Sequence, residues 1–136
     1  QLHNIEMQKY FQVNLPKIYI DDNQIKQALL AIFVNAVEAM EDNGVLTIRT
    51  EWKKPNDYVR ILITDTGKGI PDDVKSQIFE PFFTTKPAGT GLGLSIVHRI
   101  LEAYDAWLNI DSEAGKGTTI TLQFKQIEPP LNSLPT

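Results

Sequence analysis

Apolar residues recur along this chain with two different periods, and the switches between them mark out its elements. Between residues 21 and 41, Ile25, Leu29, Ile32, Phe33, Ala36 and Met40 return every three or four places, which predicts a long amphipathic helix. Asp21, Asp22 and Asn23 are N-cap residue types at its head, and Asn43-Gly44 is expected to stop it. A second run of this kind, Leu94, Val97, Ile100, Leu101 and Tyr104, predicts a helix over 92–104. Period-two alternation predicts strands elsewhere. In 58–64, Val59, Ile61 and Ile63 alternate with Arg60, Leu62 and Thr64, and 45–51 carries β-type residues on both sides. Further strands are expected over 5–12 and 17–20, split by Asn14-Leu15-Pro16, and over 107–111 and 118–125, joined by a loop from Ser112 to Gly117. Pro71 opens a short helix over 72–79, and 80–90 has the composition of a loop.

This order is not the regular alternation of a doubly wound sheet. It predicts an α/β (α+β) two-layer sandwich, with about three helices on one face of a mixed, mostly antiparallel sheet of about five or more strands. Residues 1–125 are expected to form one domain and 126–136, with Pro129, Pro130 and Pro135, a mobile C-terminal tail.

Composition narrows the function classes. The 136 residues carry a formal net charge of −4 and no basic run, so neither nucleic acid nor direct membrane contact is expected. There is no cysteine and there are only 2 histidines, which removes thiolate chemistry and makes a zinc site a poor reading. No apolar run approaches the ~18 residues of a membrane span.

The candidate chemistry sits at the element ends. Gly89-Thr90-Gly91-Leu92-Gly93 precedes a helix, where glycine is unfavourable unless bare backbone is needed, as when an anion approaches N–H groups at a helix N-terminus. The spacing matches neither a dinucleotide fingerprint nor a P-loop. Upstream, Phe79, Pro81, Phe82 and Phe83 stand ahead of Thr84-Thr85-Lys86. Asp65, at the end of an apolar strand before Thr66-Gly67-Lys68-Gly69, reads as a turn residue or as a carboxylate fixed to accept a hydrogen bond from an exocyclic amine, the two glycines letting backbone lie flat against the base. Asn35 falls at the border between the core and solvent faces of the first helix; its amide oxygen is a hard neutral ligand suited to Mg²⁺. His98, on the flank of the second helix, and His3, near the chain start, have the look of ordinary surface residues.

Taken in order, these pieces resemble the catalytic and ATP-binding domain of bacterial sensor histidine kinases, within the superfamily of gyrase, chaperone, mismatch-repair and histidine-kinase ATPases. "DDNQIKQALLAIFVNAVEAM" resembles the N box, "DTGKGI" the first glycine box, "IFEPFFTTK" the phenylalanine box and "GTGLGLSIVHRI" the second glycine box, while "SEAGKGTTITLQF" is similar to the closing strand pair. The resemblance implies a Bergerat-type fold that binds ATP and Mg²⁺. It implies Asn35 at the magnesium, Asp65 with Gly67, Gly69 and Ile70 at the adenine, and Thr118 as a hydroxyl reaching the base. Phe83 would root a lid over residues 80–90, expected to be mobile in the empty protein. Lys86, Thr90, Gly91, Leu92 and Gly93 would meet the phosphates.

No phosphoacceptor box resembling His-Glu-x-x-x-Pro occurs, so no catalytic residue is expected within this fragment. The γ-phosphoryl group would pass to a histidine on a separate dimerisation domain, and from there to a response-regulator receiver. The implied location is cytoplasmic, including as the cytoplasmic part of a membrane-anchored sensor. Three departures stand out: Ala31 where a polar residue is usual (a water-activating glutamate in the hydrolases), Glu38 where many kinases have lysine, and "YDAWLNIDS" in place of a His-Gly-Gly turn, with Asp105 expected at positive φ. Ala31 and Glu38 keep open a nucleotide-binding regulatory module without phosphotransfer; a gyrase-type ATPase is the weaker alternative.

Overall fold

The computed structural model describes residues 4–41, 43–52, 58–75 and 93–125, the side chains of Val74 and Lys75 excepted. The described elements are, in chain order, β1 (Asn4–Phe11), α1 (Asp22–Met40), β2 (Asn43–Trp52), β3 (Tyr58–Asp65), α2 (Asp72–Lys75), α3 (Gly93–Ala103), β4 (Trp107–Glu113) and β5 (Gly117–Lys125). The strands form one 5-stranded sheet in the order β1-β2-β3-β5-β4. β1 runs parallel to β2, with α1 as the crossover between them, and the other neighbours are antiparallel. The two-layer mixed sheet is as expected. Among the described residues the helix layer holds two long helices, α1 and α3, and the single turn α2, where about three helices were expected. Residues 76–79 of the predicted short helix lie outside the described residues, as does the expected tail 126–136.

One side of the sheet faces the helices. Ile63 on β3 and Ile120, Leu122 and Phe124 on β5 point that way and are buried. They meet Ala28, Ile32, Ala36 and Met40 of α1, which repeat every four residues, and Val97, Ile100 and Leu101 of α3. Burying a side chain the size of Leu122 or Ile32 contributes about 1.5–3 kcal/mol. The other side of the sheet is more polar; there Arg60 reaches both Gln123, at 2.8 Å, and Glu51.

Helix ends are set by local chemistry. Asp21 caps α1: its Oδ2 accepts the N–H groups of Asn23 at 3.0 Å and Gln24 at 3.1 Å. Tyr104, just past α3, donates its hydroxyl to Gln24 and receives the N–H of Asp21 at 3.4 Å, so the C-terminal end of α3 is fastened to the N-terminal end of α1. The two helices pack along one another and are therefore antiparallel. α3 stops in a Schellman motif: Ala106 N–H bonds the Leu101 carbonyl at 2.9 Å and Asp105 N–H that of Glu102 at 3.2 Å. Asp105 occupies the left-handed position of that motif, φ 54°, as expected.

Two expected elements are different. Residues 17–20 are not a strand of the sheet: Ile18 makes a single isolated bridge, and Ile18 and Ile20 alternate inward because they pack against the core cluster. Asn43-Gly44 does not stop α1. The helix ends at Met40, is capped by Glu41 at φ 58°, and Asn43 already pairs with Asn4 in the sheet.

The Schellman geometry makes Asp105 a measurable strain point. Asp105→Gly is expected to be neutral to about 0.5 kcal/mol stabilising, since glycine's looser unfolded chain offsets part of the relief, and Asp105→Val to lose about 1 kcal/mol or more. Urea midpoints at constant slope give the order.

Candidate nucleotide site

β3 ends on Asp65, whose side chain lies on the helix-facing side and is only 7% exposed. Its Oδ1 accepts the N–H of Gly67 at 2.8 Å. Burial raises this carboxyl above its ordinary value of 3.8, and the main-chain N–H groups of Gly67 and Thr118 pull in the opposite direction without cancelling the effect. Thr66 follows, its Oγ1 accepting the Val45 N–H at 3.0 Å and so tying the loop to β2.

The chain then threads between α1 and the β4–β5 hairpin. A Cβ on Gly67 would stand 2.6 Å from the Ala39 carbonyl oxygen, and Lys68 N–H bonds that same oxygen at 3.1 Å. Gly69 has φ 74°, and a Cβ there would overlap the Glu113 carbonyl. The Lys68 carbonyl accepts Gly115 N–H at 2.6 Å. Both glycines are therefore required by neighbouring protein backbone, a reason independent of the flat approach to a base expected from the sequence.

Behind Asp65 lies a hydroxyl pair. Thr118 is the register partner of Asp65 on β5, and Ser112 that of Thr118 on β4. Thr118 Oγ1 and Ser112 Oγ are 2.7 Å apart and buried, and Ser112 Oγ also accepts the N–H of Ile70 at 2.8 Å. Ser112 escaped the sequence reading, which assigned it to a connecting loop. In the structure β4 runs on to Glu113, and strand alternation turns Ser112 to the same side as Ile110.

Asn35 is half-buried on α1, one turn before Ala39 and on the same flank, so it borders the Gly67 loop. Gly93 heads α3. Starting from the Tyr104–Gln24 contact, eleven residues lead back along α3 to Gly93 and eleven lead forward along α1 to Asn35. Each stretch is about 16 Å long, which brings the α3 N-terminus level with Asn35. Asn35, Asp65, Gly67, Gly69, Ile70, Gly93 and Thr118 thus gather at one end of the sandwich. Phe83, Lys86, Thr90, Gly91 and Leu92, with the expected lid, lie outside the described residues.

On the Asn35 flank, Ala31 and Glu38 stand one turn to either side, half-buried and exposed respectively. Among the described residues no cluster of His, Cys, Asp and Glu gathers to hold a metal ion. Among the described residues a cation at Asn35 would find one neutral amide oxygen, and an anion and water would fit the rest of its shell. The donor set therefore fits magnesium arriving with a phosphate chain, and does not fit a self-sufficient metal centre.

Known proteins resemble this chain over most of its length. Sensor histidine kinase ZraS of Escherichia coli (strain K12) is 41% identical over 119 residues, covering 86% of this chain and 25% of that protein. Sporulation kinase C of Bacillus subtilis (strain 168) is 44% identical over 118 residues, covering 86% of this chain and 27% of that protein. The chain thus spans about a quarter of the length of these curated relatives. Among solved structures, the catalytic domain of histidine kinase ThkA superposes with a TM-score of 0.79 at 32% identity, covering 90% of this chain and 80% of that one. Full-length ShkA in complex with AMPPNP does so at 0.78 and 31% identity, over 93% of this chain and 27% of that one. Residues 20–128 match the family described as Histidine kinase-, DNA gyrase B-, and HSP90-like ATPase. This chain belongs to that family.

Proposed function

We propose that this chain is the ATP-binding domain of a sensor histidine kinase, presenting ATP with Mg²⁺ so that the γ-phosphoryl group passes to a histidine on a separate dimerisation domain, in two-component signalling. The observation that carries the reading is the Asp65 carboxyl, kept buried at a strand end against its own electrostatic preference, beside Thr118 and at the same end of the sandwich as Asn35 and the head of α3. An exocyclic amine donating to Asp65 would offset the desolvation of the carboxylate. N–H groups at the α3 N-terminus would favour phosphate there, and Asn35 would supply one oxygen to the magnesium. The domain's part is then positioning and charge stabilisation, the nucleophile being brought by another domain.

Relatives named sensor histidine kinase and sporulation kinase, and a full-length homologue solved with AMPPNP, support the kinase reading. Ala31 speaks against a water-activating hydrolase, since no carboxylate stands one turn before Asn35. A cytoplasmic setting is part of this reading. No helix among the described residues is long and apolar enough to cross a membrane.

Supplying a helical phosphoacceptor domain in trans with radiolabelled ATP is expected to label its histidine; tight ATP binding with no label on any such partner would favour the regulatory-module alternative. Asp65→Asn separates site from fold. A carboxyl raised above 3.8 contributes stability that is fully present below about pH 3.8 and lost as pH rises through its folded-state value, so at neutral pH the ionised group is a cost. The amide removes that cost and can still accept Gly67 N–H. Its melting temperature at pH 7 is expected to equal or exceed the parent's, while ATP affinity by calorimetric titration falls about 10- to 100-fold, the range of a lost charge-assisted hydrogen bond. Asn35→Ala is expected to leave the melting temperature within about 2 °C, because that flank is not core. It should also erase most of the difference between ATP affinities measured with and without Mg²⁺.

A further inference from the structure

Ser112 Oγ lies against Thr118 Oγ1 and has two further partners. Ser112 is 8% exposed and Thr118 7%, so neither hydroxyl has bulk water as a ready partner. A serine hydroxyl has one hydrogen and two lone pairs. At Ser112 one lone pair takes the N–H of Ile70 at 2.8 Å, and the carbonyl of Gly117, a pure acceptor 3.0 Å away, is satisfied by Ser112 only through its one hydrogen. The 2.7 Å contact with Thr118 Oγ1 is then satisfied only if Thr118 donates into the remaining lone pair of Ser112. The single hydrogen of Thr118 is thereby committed to protein, and all it can offer a ligand is lone pairs. Its register partner Asp65, when ionised, is likewise an acceptor only.

We infer that Ser112 is a positioning residue that holds Thr118 as a hydrogen-bond acceptor, so that the Asp65–Thr118 pair selects a purine bearing a donor amino group at position 6 and rejects a 6-oxo purine. The inference rests on the nucleotide reading above and deepens it. A 6-amino group brings two N–H donors to this pair. A 6-oxo group brings lone pairs against lone pairs, and a buried acceptor left without a donor is penalised more heavily than a merely weakened contact. The same serine sets the backbone as well, because its oxygen holds Ile70 immediately after the Gly67–Gly69 loop. Ser112 touches no part of the bound base in this scheme; it acts through Thr118.

The test compares ATP with inosine triphosphate, which differ at position 6, by calorimetric titration of this chain and its Ser112→Ala, Ser112→Cys and Ser112→Thr variants. The parent is expected to prefer ATP at least tenfold. In Ser112→Ala the Thr118 hydroxyl is free to rotate and donate, and the ATP-to-ITP ratio is expected to fall at least fivefold, with Ser112→Thr restoring it. Ser112→Cys keeps the side-chain volume with a weak donor, and gives the same comparison should the alanine variant fail to fold. Equal weakening of both nucleotides, with the ratio unchanged, would overturn the inference and leave Ser112 a structural residue. A parent that binds neither nucleotide would instead overturn the nucleotide reading itself, and the inference with it.

Discussion

The molecule is organised around places where main chain lies directly against main chain. Gly67 meets the Ala39 carbonyl of α1 and Gly69 the Glu113 carbonyl of β4, with no room for a side chain at either contact. Lys68 bonds both neighbours, through its N–H to Ala39 and its carbonyl to Gly115. The loop after β3 is thereby held on two sides by elements far apart in sequence. Asp65, Asn35 and Thr118 keep their mutual positions because the backbone between their elements has no slack. Side chains on the loop, such as exposed Lys68, remain in solvent while their backbone does the joining.

Stability and chemistry pull apart at Asp65. A leucine or isoleucine in that place would extend the apolar row of Val59 and Ile63, and the fold would gain by it. The carboxyl is instead a group whose charge burial opposes, with N–H groups of Gly67 and Thr118 as partial compensation. In the function proposed above, an exocyclic amine donating to Asp65 is what makes use of it. The rest of the helix-facing surface is conventional: Ile32, Leu46, Ile63, Leu101 and Leu122 are almost wholly removed from water and supply the stability that the site forgoes.

Much of this was legible in the chain, for identifiable reasons. α1 and β3 are long and strongly periodic, so residues such as Ile32, Ala36 and Ile63 announce their inward faces. Asp65 does end a strand with Gly67 and Gly69 in the loop after it, but the need for glycine arises from Ala39 and Glu113, which no local pattern connects to them. Ile18 and Ile20 misled because two alternating inward residues look alike whether or not their backbone has a ladder partner. Asn43-Gly44 misled because a glycine after a helix ordinarily stops it, whereas pairing with β1 draws this one into a strand. Ser112 was hidden by its company: Ser-Glu-Ala-Gly-Lys-Gly has turn composition, and only the extension of β4 by two residues gives its hydroxyl a direction.

β5 is the last of the described strands, yet it lies between β3 and β4 in the sheet. As the polypeptide leaves the ribosome, β1, α1, β2 and β3 can associate early, while β4 has nothing to pair with until the final strand follows it. Thr118, on that strand, must dock beside Asp65 from some fifty residues away before this end of the sandwich is complete. A ligand held between Asp65 and Thr118 could therefore act on folding only after β5 has paired with β3.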